Sequence, residues 1–131
     1  MIVDTSALLA ILFGEEEAVA FNQTIDRAPA PKMSAVSYLE VALRVDRLPE
    51  PEAYALLDST IRTLRIEIVP VTVEQAYLAR AAFGAFGRGR HPAALNFGDC
   101  FVYALARARG EPLLFKGQDF GRTDLVIAAV G

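Results

Sequence analysis

The sequence MIVDTSALLA (residues 1–10) joins a short apolar run, an acid and a longer apolar run without a break. We predict a buried strand over residues 1–3 and a following helix that Thr5 or Ser6 caps. Asp4 lies at the junction between them. A charge directly after a buried strand is costly without a partner, so this stretch indicates a functional site as well as a strand-to-helix fold.

Strand-like runs and helical patterns alternate along the rest of the chain. The further strands are predicted at residues 32–33, 66–71, 113–115 and 125–127. The further helices are predicted at residues 15–27, from Ser34 or Ser37 to residue 47, and at 52–64, 72–86 and 97–109. This alternation predicts an α/β fold, a three-layer α/β/α sandwich with a mostly parallel central sheet. The 131 residues, 53% of them hydrophobic, suit one domain spanning residues 1–131.

The net charge of −3 argues against a broadly basic nucleic-acid-binding protein, but the charges are unevenly distributed. Residues 1–58 hold ten acids and four bases, whereas residues 59–131 hold six acids and nine bases. Almost all of the bases in the second part are arginines, whose planar guanidinium binds phosphate well. Surface arginines also simply keep helices soluble. The distribution is compatible with an acidic pocket beside a basic rim.

The sequence favours a cytoplasmic protein that does not enter a membrane. No apolar run approaches the roughly 20 residues that a membrane-spanning helix needs. The first residues lack the basic segment of a secretory signal. Cys100 is the single cysteine, which excludes an internal disulfide and fits a reducing compartment.

Four acids, Asp4, Glu40, Asp99 and Asp119, are predicted to meet at one edge of the sheet. Asp4 and Asp119 follow predicted strands, while Glu40 and Asp99 lie early in predicted helices. Ligands of parallel sheets bind beyond the carboxyl ends of the strands, where the following helices begin. Carboxylates gathered there repel one another and need a counter-charge. A divalent metal is the usual answer, because hard cations such as Mg²⁺ take oxygen ligands.

Each acid also has a purely structural interpretation. Glu40 could complete a capping box with Ser37, three residues before it, and Asp99 follows the predicted cap Asn96 at the same spacing. Asp119 lies between two glycines and could be an ordinary turn residue. Asp4 could form an Asx-turn after its strand. One shared metal site accounts for all four positions at once, whereas the structural interpretation needs four separate coincidences at the same edge.

Four segments resemble the PIN-domain ribonucleases, and in particular VapC-type toxins. They are DTSALLA (residues 4–10), SAVSYLEVA (residues 34–42), HPAALNFGDC (residues 91–100) and LLFKGQDFGRTDL (residues 113–125). The resemblance extends over the full length of the chain. The first segment alone is a weak signal, whereas the last two, in this order and at this spacing, are specific.

The resemblance implies an endoribonuclease, a hydrolase that cleaves RNA with Mg²⁺ or Mn²⁺. The acids corresponding to Asp4, Glu40, Asp99 and Asp119 then bind the metal, and Thr5 or Ser6 supports the site from beside Asp4. The expected partners are an RNA substrate, a cognate VapB-type antitoxin that blocks the cleft, and a second copy in a homodimer. Asn96 lies near the site, and Asp124 matches a further acid of the final motif. Arg88, Arg90 and Arg122 are candidate contacts to the RNA backbone.

Three other interpretations remain open at the level of sequence. The first is a PIN-like module that binds RNA or protein without cutting, which the four intact acids oppose. The second is a phosphotransferase with Asp4 as nucleophile, but haloacid-dehalogenase-like enzymes carry a second Asp where this chain has Ser6. The third is a structural dimerising protein, which requires the acids to lie apart or to be consumed by caps and salt bridges.

Overall fold

A computed structural model describes residues 1–130 and contains a four-stranded parallel sheet in the order β3-β2-β1-β4. The strands are β1 (Ile2–Val3), β2 (Lys32–Ser34), β3 (Glu67–Val69) and β4 (Leu113–Leu114). In the central strand β1, Ile2 pairs with Lys32 on one side and with Leu113 on the other. Parallel neighbours on both sides bury β1 within the sheet, which explains its wholly apolar sequence.

Six α-helices cover the two faces of this sheet, and a short 3₁₀ helix spans Phe120–Arg122. They are α1 (Thr5–Leu12), α2 (Ala18–Arg27), α3 (Ala35–Val45), α4 (Glu52–Thr63), α5 (Val73–Phe86) and α6 (Phe97–Arg109). Consecutive strand residues point to opposite faces. Accordingly, Val3 packs into a core with α1 to α4, and Ile2 packs into a second core with α5 and α6. The predicted three-layer α/β/α fold with a parallel sheet is confirmed.

Several helix ends differ from the sequence prediction. Asp4 itself, rather than Thr5 or Ser6, caps α1, because its carboxylate accepts a hydrogen bond from the Ser6 N–H. Helix α2 begins at Ala18, since the acidic run before it forms turns. The α6 prediction holds at both ends: Asn96 caps the helix, and Gly110 ends it with φ of +63°. A positive φ suits glycine, which lacks the Cβ that would clash in this conformation.

The predicted last strand, residues 125–127, is reduced to a single parallel bridge between Leu113 and Ile127. On helix α3, Leu39 and Leu43 lie at helical spacing but are 56% and 52% exposed. Its buried face carries Val41 and Val45 instead. Helical spacing identifies apolar stripes but does not tell which stripe faces the sheet. Across residues 1–130, none of the helices has both the length and the apolar character needed to cross a bilayer.

Candidate active site

Asp4 lies at the carboxyl end of the central strand and is only 6% exposed. Its Oδ2 accepts hydrogen bonds from the Ser6 main-chain N–H, at 3.0 Å, and from the Ser6 hydroxyl, at 2.6 Å. The same hydroxyl accepts the Lys116 N–H at 2.9 Å, which ties the site to the loop after β4. Burial raises the pKa of Asp4, the bonds from Ser6 lower it, and the charge of Glu40 raises it further.

Glu40 projects toward the same edge from the second turn of α3, one turn later than predicted. Its Oε1 accepts a hydrogen bond from the Thr5 hydroxyl at 2.9 Å. The capping-box alternative is wrong, because Ser34 rather than Ser37 caps this helix. Partial burial raises the pKa of Glu40, the Thr5 hydrogen bond lowers it, and the charge of Asp99 raises it.

Asp99, the third residue of α6, has a structural role and faces the other acids as well. It completes a capping box with Asn96: its N–H donates to Asn96 Oδ1 at 2.9 Å, and its Oδ2 accepts the Asn96 N–H at 3.1 Å. Burial raises the pKa of Asp99 to about 6, and the charges of Asp4 and Asp119 contribute to the rise. The hydrogen bond from Asn96 and the charge of Arg88 oppose this rise without cancelling it.

Asp119 is exposed and immediately precedes the 3₁₀ helix. Its main-chain carbonyl accepts the Arg122 N–H at 3.1 Å, whereas its side chain makes no capping hydrogen bond there. The charge of Asp119 contributes to the raised pKa of Asp99. The structure thus brings Asp4, Glu40 and Asp99 to one edge of the sheet, where the charges of other acids raise the pKa of each, and Asp119 lies on the exposed loop beside them.

None of these four carboxylates forms a salt bridge with Lys, Arg or the amino terminus among residues 1–130. The main-chain N–H of Lys116 donates to Ser6, but its side-chain ammonium forms salt bridges with Glu15 at 2.6 Å and Glu17 at 3.3 Å. Within the described residues, no three Asp, Glu, His or Cys side chains are grouped tightly enough to hold an ion by themselves. The carboxylates of the site therefore form an open donor set, that is, one that does not provide a complete set of metal ligands by itself.

An open set of uncompensated carboxylates fits Mg²⁺ or Mn²⁺ better than an ion that needs a complete protein cage. Mg²⁺ is usually bound through one or two carboxylates and keeps several of its waters. Asp4 and Asp99 offer oxygen donors from two different elements, and Glu40 and Asp119 lie around them. Because the charges of neighbouring acids help to raise the pKa values of Asp4, Glu40 and Asp99, a cation among them relieves repulsion that the protein itself does not neutralise.

Asp124, the further acid of the final motif, is engaged elsewhere. Its Oδ1 accepts the Tyr103 hydroxyl at 2.6 Å, and its Oδ2 lies 3.9 Å from Arg107. It is not among the charges that shift the pKa of Asp4, Glu40 or Asp99. Asp124 therefore anchors the carboxyl-terminal segment against α6, which is a structural role.

The predicted basic rim is only partly directed at the acids. The charge of Arg88 lowers the pKa of Asp99. Arg90 stacks on the Phe83 ring at 5.6 Å. Arg122 donates to the Pro92 carbonyl at 3.2 Å, which joins two loops at the edge of the site. His91 uses its Nδ1 to accept the Ala93 N–H at 3.0 Å, which stabilises the loop before α6.

A family model of the PIN domain matches residues 1–126. This chain belongs to the PIN domain family. Ribonuclease VapC28 of Mycobacterium tuberculosis is 51% identical over 124 residues, which cover 94% of this chain and 93% of VapC28. The resemblance to VapC-type PIN-domain proteins in the four sequence segments is therefore confirmed.

Solved structures share the fold at much lower sequence identity. VapC20 of Mycobacterium tuberculosis, a Sarcin-Ricin loop cleaving toxin, matches with a TM-score of 0.79 at 16% identity, covering 99% of this chain and 98% of its own. VapBC2 of Rickettsia felis, bound to a DNA fragment from its promoter, matches with a TM-score of 0.72 at 14% identity, covering 99% and 98%. At these identities the likeness concerns the architecture.

Two contributors to the site could hardly be recognised in advance. Ser6 was expected to support Asp4, but its bridge to the Lys116 N–H depends on how two distant segments meet. Gly98 carries no functional group, yet it lies against the Glu40 carboxylate. The available signal was a glycine within the first turn of a predicted helix, a place where most other residues support the helix better.

Proposed function

We propose that this protein is a Mg²⁺- or Mn²⁺-dependent endoribonuclease, the toxin of a VapBC-type toxin–antitoxin pair acting in the cytoplasm. The observation that carries the proposal is the group of acids at the carboxyl edge of the sheet, Asp4, Glu40 and Asp99, which have no salt-bridge partner among residues 1–130 and to whose raised pKa values the charges of neighbouring acids contribute. The 51% identity to a ribonuclease over nearly the whole chain supports the same activity. The sequence segments that resemble the family retain all four acids, which favours a cutting enzyme over a catalytically silent binding module.

In this proposal, Asp4 and Asp99 hold the metal, Glu40 orients the attacking water, and Asp119 completes the site. An ion held there would supply Lewis-acid polarisation of the phosphoryl oxygen and would lower the pKa of a water. The Thr5 hydroxyl fixes the Glu40 carboxylate through its 2.9 Å hydrogen bond. Burial of Asp4 keeps bulk water from screening its charge, so electrostatic interactions there are stronger than at an exposed acid.

An RNA cleavage assay tests this activity. The parent protein should cut RNA in Mg²⁺ or Mn²⁺, stop in EDTA and recover when the metal is restored. Asp4→Asn should lose cleavage and stay folded, because asparagine still offers an oxygen to Ser6 and removes a buried charge. Asp46→Asn, the same change at an exposed acid at the end of α3, is the matched control and should cut normally. Equal rates for Asp4→Asn and the parent would rule out the proposed site.

We further propose that a VapB-type antitoxin docks on the apolar surface beside α3 and α4, and that the toxin forms a homodimer. Leu39 and Leu43 are exposed on α3, and a groove lined by Phe13, Leu48 and Leu56 lies nearby. Exposed apolar grooves of this kind accept amphipathic partner segments. Leu43 makes none of the hydrogen bonds that hold Asp4, Glu40 or Asp99.

Growth of a bacterial host tests the antitoxin proposal. Induction of the parent should arrest growth, and coexpression of the protein encoded beside it should relieve the arrest. Leu43→Asp should still arrest growth but escape relief, because a charge is placed in the proposed interface. Full relief of Leu43→Asp would locate the antitoxin elsewhere. Light scattering of the purified parent measures whether the toxin is a dimer.

A further inference from the structure

Gly98 occupies a position in α6 where a glycine is not needed for the backbone. It is the second residue of the helix, directly before Asp99, and it is buried. It is not among the glycines with positive φ, which are Gly14, Gly89, Gly110 and Gly117. Alanine is therefore compatible with this backbone, and in helices alanine is favoured over glycine by up to about 1 kcal/mol.

The space around Gly98 explains why a side chain is absent. A Cβ added there would lie 2.2 Å from Oε2, 2.7 Å from Cδ and 2.8 Å from Oε1 of Glu40. All three distances are shorter than real Cβ contacts allow. The neighbour is the far end of a flexible side chain, so the carboxylate, rather than the helix backbone, would have to move.

Glu40 is thus held from two sides. The Thr5 hydroxyl donates to Oε1 at 2.9 Å, and the bare backbone of Gly98 accommodates the carboxylate at the amino end of α6. Asp99, the next residue of α6, is close enough for its charge to raise the pKa of Glu40. Any side chain at position 98 would stand between α6 and the carboxylate that faces Asp99.

We propose that Gly98 is a positioning residue whose missing side chain makes the space in which Glu40 joins Asp99 at the metal site. This inference rests on the proposed function. Gly98→Ala should displace the Glu40 carboxylate and leave the fold intact. The thermal stability of the metal-free protein should stay equal or rise, while Mn²⁺ affinity falls about 10-fold to 100-fold, as for other groups that orient metal ligands. Stability and metal affinity should therefore change in opposite directions.

Gly84 provides the matched control. It lies in α5, is exposed, and a Cβ there would meet nothing within 4 Å. Gly84→Ala should raise the melting temperature without changing Mn²⁺ affinity or RNA cleavage. A second control introduces Gly98→Ala into a protein that lacks the Glu40 carboxylate. In a Glu40→Ala background, Gly98→Ala should leave the residual Mn²⁺ affinity unchanged and should raise the melting temperature more than it does in the parent.

The experiment is calorimetric titration of metal-free protein with Mn²⁺, combined with thermal unfolding, for the parent and these variants. We expect Gly98→Ala, but not Gly84→Ala, to bind Mn²⁺ more weakly than the parent. Gly98→Ala should do so without losing stability. Parent-like affinity in Gly98→Ala, a lower melting temperature, or an equally large loss of affinity in the Glu40→Ala background would overturn the role of Gly98 and leave the proposed function standing. A parent that binds no Mn²⁺ and cuts no RNA would overturn both.

Discussion

Acids at the two edges of the sheet have opposite electrostatic environments. At the amino ends of the strands, Glu111 receives hydrogen bonds from the Met1 amino group and, at 3.2 Å, from Lys32. Partial burial raises the pKa of Glu111, but these two cations outweigh it and the pKa is lowered. At the carboxyl ends, Asp4 is buried and Asp99 is half-buried, both near other acids, and the pKa of each is raised.

This difference separates a stabilising charge from a functional one. An acid with a cationic partner lowers the free energy of the folded state, whereas buried acids that repel one another raise it. Such an arrangement persists where the protein gains something other than stability from it. A cation from solution should therefore stabilise the carboxyl edge of the sheet more than the amino edge.

Removing one acid from the carboxyl edge should have the largest effect. We expect Asp99→Asn to reduce RNA cleavage by at least about 100-fold, because even groups that only orient metal ligands are worth up to that factor. The metal-free protein should become more stable, since the substitution removes repulsion and asparagine can still accept the Asn96 N–H. Initial cleavage rates and thermal unfolding measure the two effects. A variant that loses activity and stability together would contradict this account.

The same change at the amino edge should do the reverse. Glu111→Gln weakens two charge-assisted hydrogen bonds, so the free energy of unfolding should fall by about 1 to 2 kcal/mol. Cleavage at a temperature where the variant remains folded should equal that of the parent. Denaturant unfolding gives the change in free energy. A loss of cleavage in folded Glu111→Gln would mean that the two edges are not independent.

The pH dependence of stability should carry opposite signs from the two edges. Asp99 has a pKa of about 6 when folded against 3.8 in the unfolded chain, so the folded state retains a proton that the unfolded chain has released. Stability from this group therefore decreases as pH rises from 3.8 toward 6, and the raised pKa values of Asp4 and Glu40 act in the same direction. The lowered pKa of Glu111 acts oppositely, because its contribution is lost as pH falls below the unfolded value of 4.5.

We therefore expect the metal-free protein to melt at a higher temperature near about pH 5 than near about pH 7. Saturating Mg²⁺ should weaken or reverse this trend by favouring the ionised carboxylates, and Asp99→Asn should flatten it. Melting temperatures across this range provide the measurement. A metal-free parent whose stability rises steadily with pH would show that the acids are not held close together.

The smallest effect is expected at Asp124, because this acid of the final motif already has partners. Asp124→Asn and Tyr103→Phe should each lower the free energy of unfolding by about 1 kcal/mol, and the double variant should lose less than the sum. Mn²⁺ affinity should match the parent in all three proteins. A marked loss of Mn²⁺ affinity in Asp124→Asn would assign this acid to the site.

Much of this comparison could be predicted from local sequence. The cap Asn96, the terminator Gly110 and the acid after the first strand are short-range signals, and each lies where it was expected. Because parallel strands end at the same edge, the convergence of Asp4 and Asp99 followed from the strand–helix alternation. Local patterns suffice wherever the chain itself fixes the geometry.

Properties that depend on distant segments were not accessible in the same way. The exposure of Leu39 and Leu43 depends on which face of α3 meets the sheet. The contact between Gly98 and Glu40 depends on how α3 and α6 approach each other, since 58 positions separate the two residues. The pairing of Glu111 with Met1 likewise joins residues that lie 110 positions apart.

Crystals grown with Mn²⁺ test the central claim most directly, because anomalous scattering locates the ion without reference to activity. The account predicts a peak at the carboxyl edge of the sheet, within about 2.0 to 2.2 Å of oxygens of Asp4 and Asp99 or of the waters they hold. A protein that cuts RNA with Mn²⁺ but shows its ion elsewhere, or none at these carboxylates, would contradict it.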